Sequence, residues 1–272
     1  MRVHPTVFAD PSALGEALAV RIADGLEAAT SAGRRYVLGC PGGRSPMTTY
    51  TALAALVRQR QLDVSGLVIA MMDDYVEPAS TRPAGFAHVP DNLPHSCRRF
   101  GREVIAEPLS TAAGPGRAIP ADQLWMPDPA DPEDYDHKLA AAGGIDLFIL
   151  ATGATDGHVA FNPPGTPAGS VSRVVTLADS TRRDNLVTFP HLRSLDRVPE
   201  HGVTVGIDTI RRHSKSAVML VHGTDKSEAA ARLSTADRYD PDWPATVITE
   251  CQNPALYVDK AAQSGPPHAT RF

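Results

Sequence analysis

Residues 150–167 read Leu-Ala-Thr-Gly-Ala-Thr-Asp-Gly-His-Val-Ala-Phe-Asn-Pro-Pro-Gly-Thr-Pro, and in them a carboxylate, Asp156, and an imidazole, His158, flank Gly157. Such a pair can do acid/base work, because histidine exchanges protons near neutral pH and a neighbouring carboxylate can support it. The apolar run Ile145 to Ala151 leads into the pair, which places it at the exit of a buried strand. Taken alone, Asp-Gly-His also fits an ordinary turn in which Asp156 bonds its own backbone.

Two further turns carry chemistry-bearing residues. Met71-Met72-Asp73-Asp74-Tyr75 ends an apolar run with adjacent carboxylates. Like charges near a low-dielectric interior raise one pKa and prepare a general base. The same spacing suits a metal-ligand pair, or simply a polar strand exit. Pro41-Gly42-Gly43-Arg44-Ser45-Pro46 joins a strand to a helix. Here Gly42 and Gly43 let backbone amides converge, Ser45 is expected as N-cap and Pro46 as first helical residue. Those amides, with the Ser45, Thr48 and Thr49 hydroxyls, make a phosphate cradle, and Arg44 adds a forked cation. A well-capped helix with no ligand is the other reading. The turn is not a Walker A loop, which needs a Lys-Ser/Thr pair. In His222-Gly223-Thr224-Asp225-Lys226, Lys226 is either a second phosphate ligand or a solvated lysine.

The elements that must hold these turns follow from periodicity. Leu14, Leu18, Ile22 and Leu26 recur at helical spacing over Leu14 to Ala28, behind the cap and first-turn pair Asp10-Pro11. Further helices are expected at Pro46 to Arg60, Asp131 to Ala142 and Thr224 to Leu233, with a helical turn at Asp208 to Arg212 and a short helix within Arg82 to Arg102. Strands are expected at Arg35 to Cys40, Gly66 to Met72, Ile145 to Ala151, Ser172 to Leu177, Val203 to Ile207, Ser216 to His222 and Ala255 to Val258. Ser110 to Pro120 reads as loop. Alternating strands and helices imply an α/β fold: a single doubly wound, mostly parallel, Rossmann-like sheet with helices on both faces. Ligands of such sheets bind beyond the carboxyl ends of the strands, where all these turns fall. Residues 1–272 read as one domain, with a flexible tail after about residue 263.

Composition narrows the function classes. The hydrophobic fraction of 42% and charged fraction of 21% are those of an ordinary soluble globular protein. A net charge of −5 with no dense Lys/Arg block argues against nucleic acid as partner, yet leaves room for a small anionic substrate. Cys40, Cys97 and Cys251 are odd in number and far apart, which favours a reducing compartment over a disulfide framework. No Cys-x-x-Cys or His-Glu-x-x-His spacing proposes a metal. The N-terminus lacks a signal-peptide core and no run reaches membrane-spanning length, so the expectation is a cytoplasmic protein without a membrane partner. A homo-oligomer stays open.

The turns together resemble the glucosamine-6-phosphate deaminase and 6-phosphogluconolactonase superfamily. The resemblance runs in matching order from about Tyr36 to Val258, through residues 38–50, 72–76, 156–162, 203–207 and 223–226. Met-Thr-Thr-Tyr, Met-Asp-Asp-Tyr-Val, Ala-Phe-Asn and Thr-Val-Gly are similar to the deaminase branch, which converts an amino-sugar phosphate to a keto-sugar phosphate and ammonia. The resemblance implies that Asp73 is the base moving a proton between C2 and C1, and that His158 assists ring opening with Asp156 as its carboxylate partner. It implies that Ser45 and Lys226 contact the substrate phosphate, with no metal and no organic cofactor. Asp74, Gly157 and Arg182 are further candidates for substrate contact.

The departures are specific. The glutamate expected after Ala-Phe-Asn is Pro163, which can neither transfer a proton nor orient an imidazole. The arginine expected to help hold the phosphate aligns near Val187, with Arg182 or Arg183 as neighbouring substitutes. Of an allosteric phosphate site, Arg173 is present, but the lysine expected two residues on is Val175. Gly-Gly-Arg-Ser-Pro (42–46) and Pro164-Gly165 are similar to the lactonase branch, where His158 would be general base for water; against it, the acidic pair lacks the arginine expected after it. The superfamily resemblance also implies, as a third reading, a non-catalytic sugar-phosphate sensor like those in transcription regulators; the expectation is against it, since residues before the first expected strand do not suffice for a helix-turn-helix.

Overall fold

The computed structural model of the chain describes residues 1–80 and 85–264. In chain order the regular elements are β1 (Pro5–Phe8), α1 (Pro11–Ser31), β2 (Tyr36–Cys40), α2 (Met47–Arg60), β3 (Leu67–Met71), β4 (Asp73–Pro78) and β5 (Phe86–His88). They continue with α3 (Cys97–Phe100), α4 (Glu107–Ala113), β6 (Leu124–Trp125), α5 (Asp134–Ala141), β7 (Leu147–Ala151), β8 (Arg173–Thr176) and α6 (Asp179–Thr188). The last are β9 (His201–Thr204), α7 (Ile207–His213), β10 (Ala217–Val221), α8 (Ser227–Thr235), β11 (Pro254–Asp259) and α9 (Lys260–Ser264).

Seven strands form a sheet in the order β1-β11-β10-β7-β2-β3-β6, and every pairing in it is parallel. The central strands Tyr-Val-Leu-Gly-Cys, Leu-Val-Ile-Ala-Met and Ala-Val-Met-Leu-Val are buried throughout, as unbroken apolar runs in a sheet covered on both faces must be. Leu38, Ile69 and Ile149 face a core with Leu18 of α1, Leu53 of α2 and Leu109 of α4. Val37, Val68 and Phe148 face the opposite core, with Leu139 of α5, Ile210 of α7 and Leu233 of α8. Each fully buried Leu or Ile contributes roughly 1.5–3 kcal/mol of transfer free energy. The expected α/β sheet with helices on both faces is present.

The sheet grows outward from β2 through β3 to β6, then returns to place β7 on the other side of β2. The β2/β7 boundary is therefore the topological switch point, where the loops after two neighbouring strands diverge and open a crevice. Cys40 ends β2 and Ala151 ends β7, so the Gly42-Gly43 turn and the Asp156–His158 turn both leave from that crevice.

A second, four-stranded antiparallel sheet, β5-β4-β9-β8, is added to what the sequence led us to expect. Ser172 to Leu177 and Val203 to Ile207, expected in the parallel sheet, supply β8 and β9 of this smaller one. Only Met72 separates β3 from β4, and its N–H donates to Cys40 O while its carbonyl accepts from Val205 N. The chain thus changes sheets within one residue and carries Asp73 over the end of the parallel sheet.

Several boundaries differ from expectation. Pro46 occupies the N-cap position of α2 in helical conformation, so the helix starts at Met47, and Ser45 does not cap it. The helix expected from Asp131 starts at Asp134, after two β-bridge residues, Asp128 and Asp131. Ser110 to Ala113 is helical rather than loop, because α3 runs through a π-helical segment, Gly101–Ala106, into α4. Thr224–Lys226 forms a 3-10 turn before α8. Helix α6 was not expected at all. The early part of the Arg82 to Arg102 segment and the tail after residue 264 lie outside the described residues.

Candidate active site

A cavity of about 320 Å3 opens at the switch point. Its walls include Gly42, Gly43, Arg44 and Ser45 from the β2–α2 turn, Asp73 from the start of β4, His158 from the loop after β7, and Lys226 before α8. The sequence-predicted residues from four distant segments thus meet in one place.

Asp73 is 6% exposed and accepts a hydrogen bond from the Cys97 thiol at 3.5 Å. Burial pushes its carboxyl pKa up to about 7; the Cys97 hydrogen bond and the His158 charge oppose this, and the Asp74 carboxylate adds to it. A carboxylate tuned to neutrality is fitted to take and return a proton.

On the other wall, His158 Nδ1 lies 2.8 Å from Asp156 Oδ1. Burial works against the Asp156 charge, but the hydrogen bond and charge of His158 outweigh it, and the Ser180 hydroxyl and His158 N–H add to them, so Asp156 stays well below the usual carboxylate range. It is therefore acceptor only, which fixes the proton on Nδ1 and leaves Nε2 to exchange protons. Helix α6 braces the pair: Ser180 Oγ donates to Asp156 Oδ2 and Thr181 Oγ1 stands 3.4 Å from His158 Nδ1. Gly153, whose N–H donates to His158 O at 2.9 Å, leaves room for both side chains, since a Cβ there would overlap Asp156 Oδ1 and His158 Nδ1.

The third wall is the glycine turn between β2 and α2, faced by Lys226. Gly43 takes a φ of +80°, a conformation that favours glycine. The backbone N–H groups of residues 42–45 make no hydrogen bond among the described residues, and they stand at the N-terminal end of α2. Such free amides, with the helix dipole behind them, favour an anion. Lys226 Nζ donates to Ser45 Oγ at 3.1 Å and to Thr152 O at 2.8 Å, which joins that turn to the residue after β7. Burial lowers the Lys226 pKa, Asp225 and Asp184 oppose the shift, and Arg44 adds to it.

Other expected residues lie elsewhere. Thr48 and Thr49 do not line the cavity; Thr48 is pressed against Gly15 of α1, where a Cβ would overlap it. Asp74 is fully buried on the opposite side of β4, accepting from Tyr75 N and Cys97 N, with His88 Nδ1 3.3 Å from its Oδ2. Alternation along a strand explains this, since adjacent residues face opposite ways. Gly157 lies under the Trp243 ring, at a φ of +64°, and is not a wall of the cavity. Arg182 donates to Leu195 O and Val198 O, and Arg183 is exposed beside Asp179; neither stands in for the arginine expected at Val187, which is 61% exposed. Arg173 is half-buried in β8 and donates to Val171 O.

The structure adds Thr181, Asp184 and Asn185 of α6, which line the cavity on one helix face. Burial raises the Asp184 pKa, and the His158, Lys226 and Arg44 charges restrain it, with Asp156 pushing the other way. The i, i+3, i+4 spacing of Thr181, Asp184 and Asn185 is a signal that only a prior assignment of helix there could have used. Cys40, Cys97 and Cys251 are all free and buried. No group of His, Cys, Asp and Glu among the described residues is arranged to hold a metal ion, and no helix among them is long and apolar enough to cross a membrane.

The fold and site define a doubly wound α/β protein with a buried carboxylate, a carboxylate–imidazole pair and a glycine turn with unpaired backbone amides around one cavity at the switch point. The chain belongs to the family described as Glucosamine-6-phosphate isomerases/6-phosphogluconolactonase, which it matches over residues 9–257. A glucosamine-6-phosphate deaminase of Bifidobacterium longum (strain DJO10A) is 33% identical over 238 residues, covering 84% of this chain and 81% of its own. The one of Streptomyces coelicolor is 33% identical over 264 residues, covering 95% and 90%. Among solved structures, a monomeric glucosamine-6-phosphate deaminase matches with a TM-score of 0.79 at 25% identity, covering 96% of this chain and 99% of its own. A 6-phosphogluconolactonase of Trypanosoma cruzi shares the fold, with a TM-score of 0.66 at 16% identity over 97% of this chain and 97% of its own.

Proposed function

We propose that this chain is a phosphosugar isomerase/deaminase that converts glucosamine 6-phosphate and water to a keto-sugar phosphate and ammonia. The observation that carries the reading is Asp73, a buried carboxylate with a pKa of about 7 on the wall of a cavity that also holds an anion cradle. Proton abstraction beside a carbonyl needs such a base, and it needs a proton donor for the sugar ring oxygen. His158, oriented by Asp156, supplies the second group through Nε2. The amides of residues 42–45, Ser45, Arg44 and Lys226 take the phosphate. Asp73, Asp156 and His158 are the catalytic set.

The carboxylate that the family resemblance implies at position 163 is Pro163, which does not line the cavity, whereas Asp184 does. Our reading gives that role to Asp184, which shares the cavity wall with His158 and is influenced by its charge, from a helix rather than from the loop. Pro163 is also the observation that favours lactone hydrolysis as the second reading, because water attack by His158 needs no further carboxylate. A purely sensing role has no such support.

Proton NMR of glucosamine 6-phosphate in heavy water tests the reading. Wild type should exchange the C2 proton and release ammonia, and Asp73→Asn should do neither. An unchanged spectrum with wild type, together with hydrolysis of 6-phosphogluconolactone, would establish the second reading instead.

A further inference from the structure

Cys97 opens α3 at the floor of the cavity and has no part in the mechanism above. Its position is fixed from two sides. The Cys97 N–H donates to Asp74 Oδ1 at 2.8 Å, and the preceding residue, Ser96, caps the short helix by accepting from Arg99 N at 3.2 Å. The Sγ atom then lies 3.5 Å from Asp73 Oδ1 and borders the cavity beside Gly42. Burial, reinforced by the Asp73 and Asp74 carboxylates, pushes the thiol pKa well above its ordinary value. The group facing Asp73 is therefore S–H, a hydrogen-bond donor, and not a nucleophilic thiolate. Asp73 Oδ2 carries no hydrogen bond among the described residues.

We propose that Cys97 is a positioning residue for Asp73: its thiol holds Oδ1, fixes the carboxylate's orientation and leaves Oδ2 free to take the substrate proton. The inference rests on Asp73 acting as the base. A donor to one carboxylate oxygen also favours the ionised form, so Cys97 offsets part of what burial does to Asp73. The charged and titratable groups around Asp73 are Asp74 on its own strand, Cys97 from α3, His158 from the loop after β7, and the Tyr50, Tyr75 and Tyr135 phenols. Of these, Cys97 is the one that donates a hydrogen bond to Asp73 among the described residues.

The test is the pH dependence of kcat/KM on glucosamine 6-phosphate for wild type, Cys97→Val, Cys97→Ala and Cys97→Ser. Valine fills the site, being somewhat larger than cysteine, and removes the donor; alanine is the smaller alternative if valine prevents folding; serine restores a donor. Without a donor, the acidic limb should move to higher pH by about half a unit to one unit, which lowers kcat/KM roughly 3–10-fold at pH 6 and much less on the alkaline plateau. Serine should return the limb to within a few tenths of a unit of wild type. A Val or Ala profile that superimposes on wild type overturns the inference, as does a Ser profile shifted as far as theirs. A wild type that leaves glucosamine 6-phosphate unchanged overturns the assigned reaction, and this role for Cys97 with it.

Discussion

Asp156 Oδ1 accepts two hydrogen bonds from His158, one from the ring Nδ1 at 2.8 Å and one from the backbone N–H at 3.1 Å. The imidazole is therefore held by the same oxygen that fixes the turn carrying it. With Nδ1 engaged, the ring can exchange protons only through Nε2, and the tautomer is set before any ligand arrives. Replacing Asp156 with Asn keeps the shape but removes the charge and turns one of the two accepting oxygens, which take bonds from His158 and Ser180, into a donor. We expect kcat to fall about 10²–10³-fold, within the range that a positioned acid/base group contributes, with KM little changed. Steady-state kinetics beside a thermal melt, to confirm folding, would check this; a kcat within threefold of wild type would rule out the orienting role.

Asp73 should make the enzyme less stable where it is most active. Its pKa is raised in the fold from 3.8 to about 7, so the folded protein binds this proton more tightly than the unfolded chain does. That contribution to stability is complete below about pH 4 and is lost as the pH rises through 7. Asp73→Asn, which cannot ionise, should gain stability over wild type between pH 4 and 8, by up to about 4 kcal/mol for a shift of this size. Chemical denaturation at the two pH values reads the difference. Activity of the variant should be lost at both. Equal relative stability at pH 4 and pH 8 would contradict the raised pKa.

Lys226 bridges Ser45 and Thr152 and, in our reading, meets the phosphate. Lys226→Met should raise KM about 10–100-fold, the effect of losing a charge-assisted hydrogen bond of roughly 1.5–3 kcal/mol, with kcat within a few-fold. Inorganic phosphate should inhibit wild type competitively and inhibit the variant correspondingly less. A variant as sensitive to phosphate as wild type would remove Lys226 from the cradle.

Gly153→Ala tests the packing behind the catalytic pair. The added methyl overlaps both Asp156 and His158, and backbone pairing through Gly153 N limits how far the chain can yield. We expect about 1–3 kcal/mol of destabilisation, the usual range for overpacking, and a loss of kcat larger than that of a remote core variant of equal stability. Comparison with a destabilised control such as Leu53→Ala separates the two effects.

What the sequence alone determined was local and periodic. Short unbroken apolar runs such as Leu67–Met71, alternating with stretches of helical periodicity, read as buried strands, so the parallel sheet with helices on both faces was legible, and with it the rule that turns after the strands carry the site. Asp73, Asp156, His158, Ser45 and Lys226 stood out because each follows such a run. The tertiary structure decided the rest, because it depends on contacts between residues far apart in the chain. The switch of sheets at Met72 turns Asp73 toward the cavity and its neighbour Asp74 into the interior, a division that two identical side chains cannot announce. Helix α6 brings Thr181 and Asp184 to the site, although its polar sequence carries no strong apolar stripe; it is held by what it packs against. Cys97 reaches Asp73 across 24 positions because the Asp74 carboxylate takes its N–H and the Ser96 cap sets the start of its helix. Spacing along the chain marks which residues can do chemistry, while burial and partners set their proton affinities, and those exist only once the chain has folded.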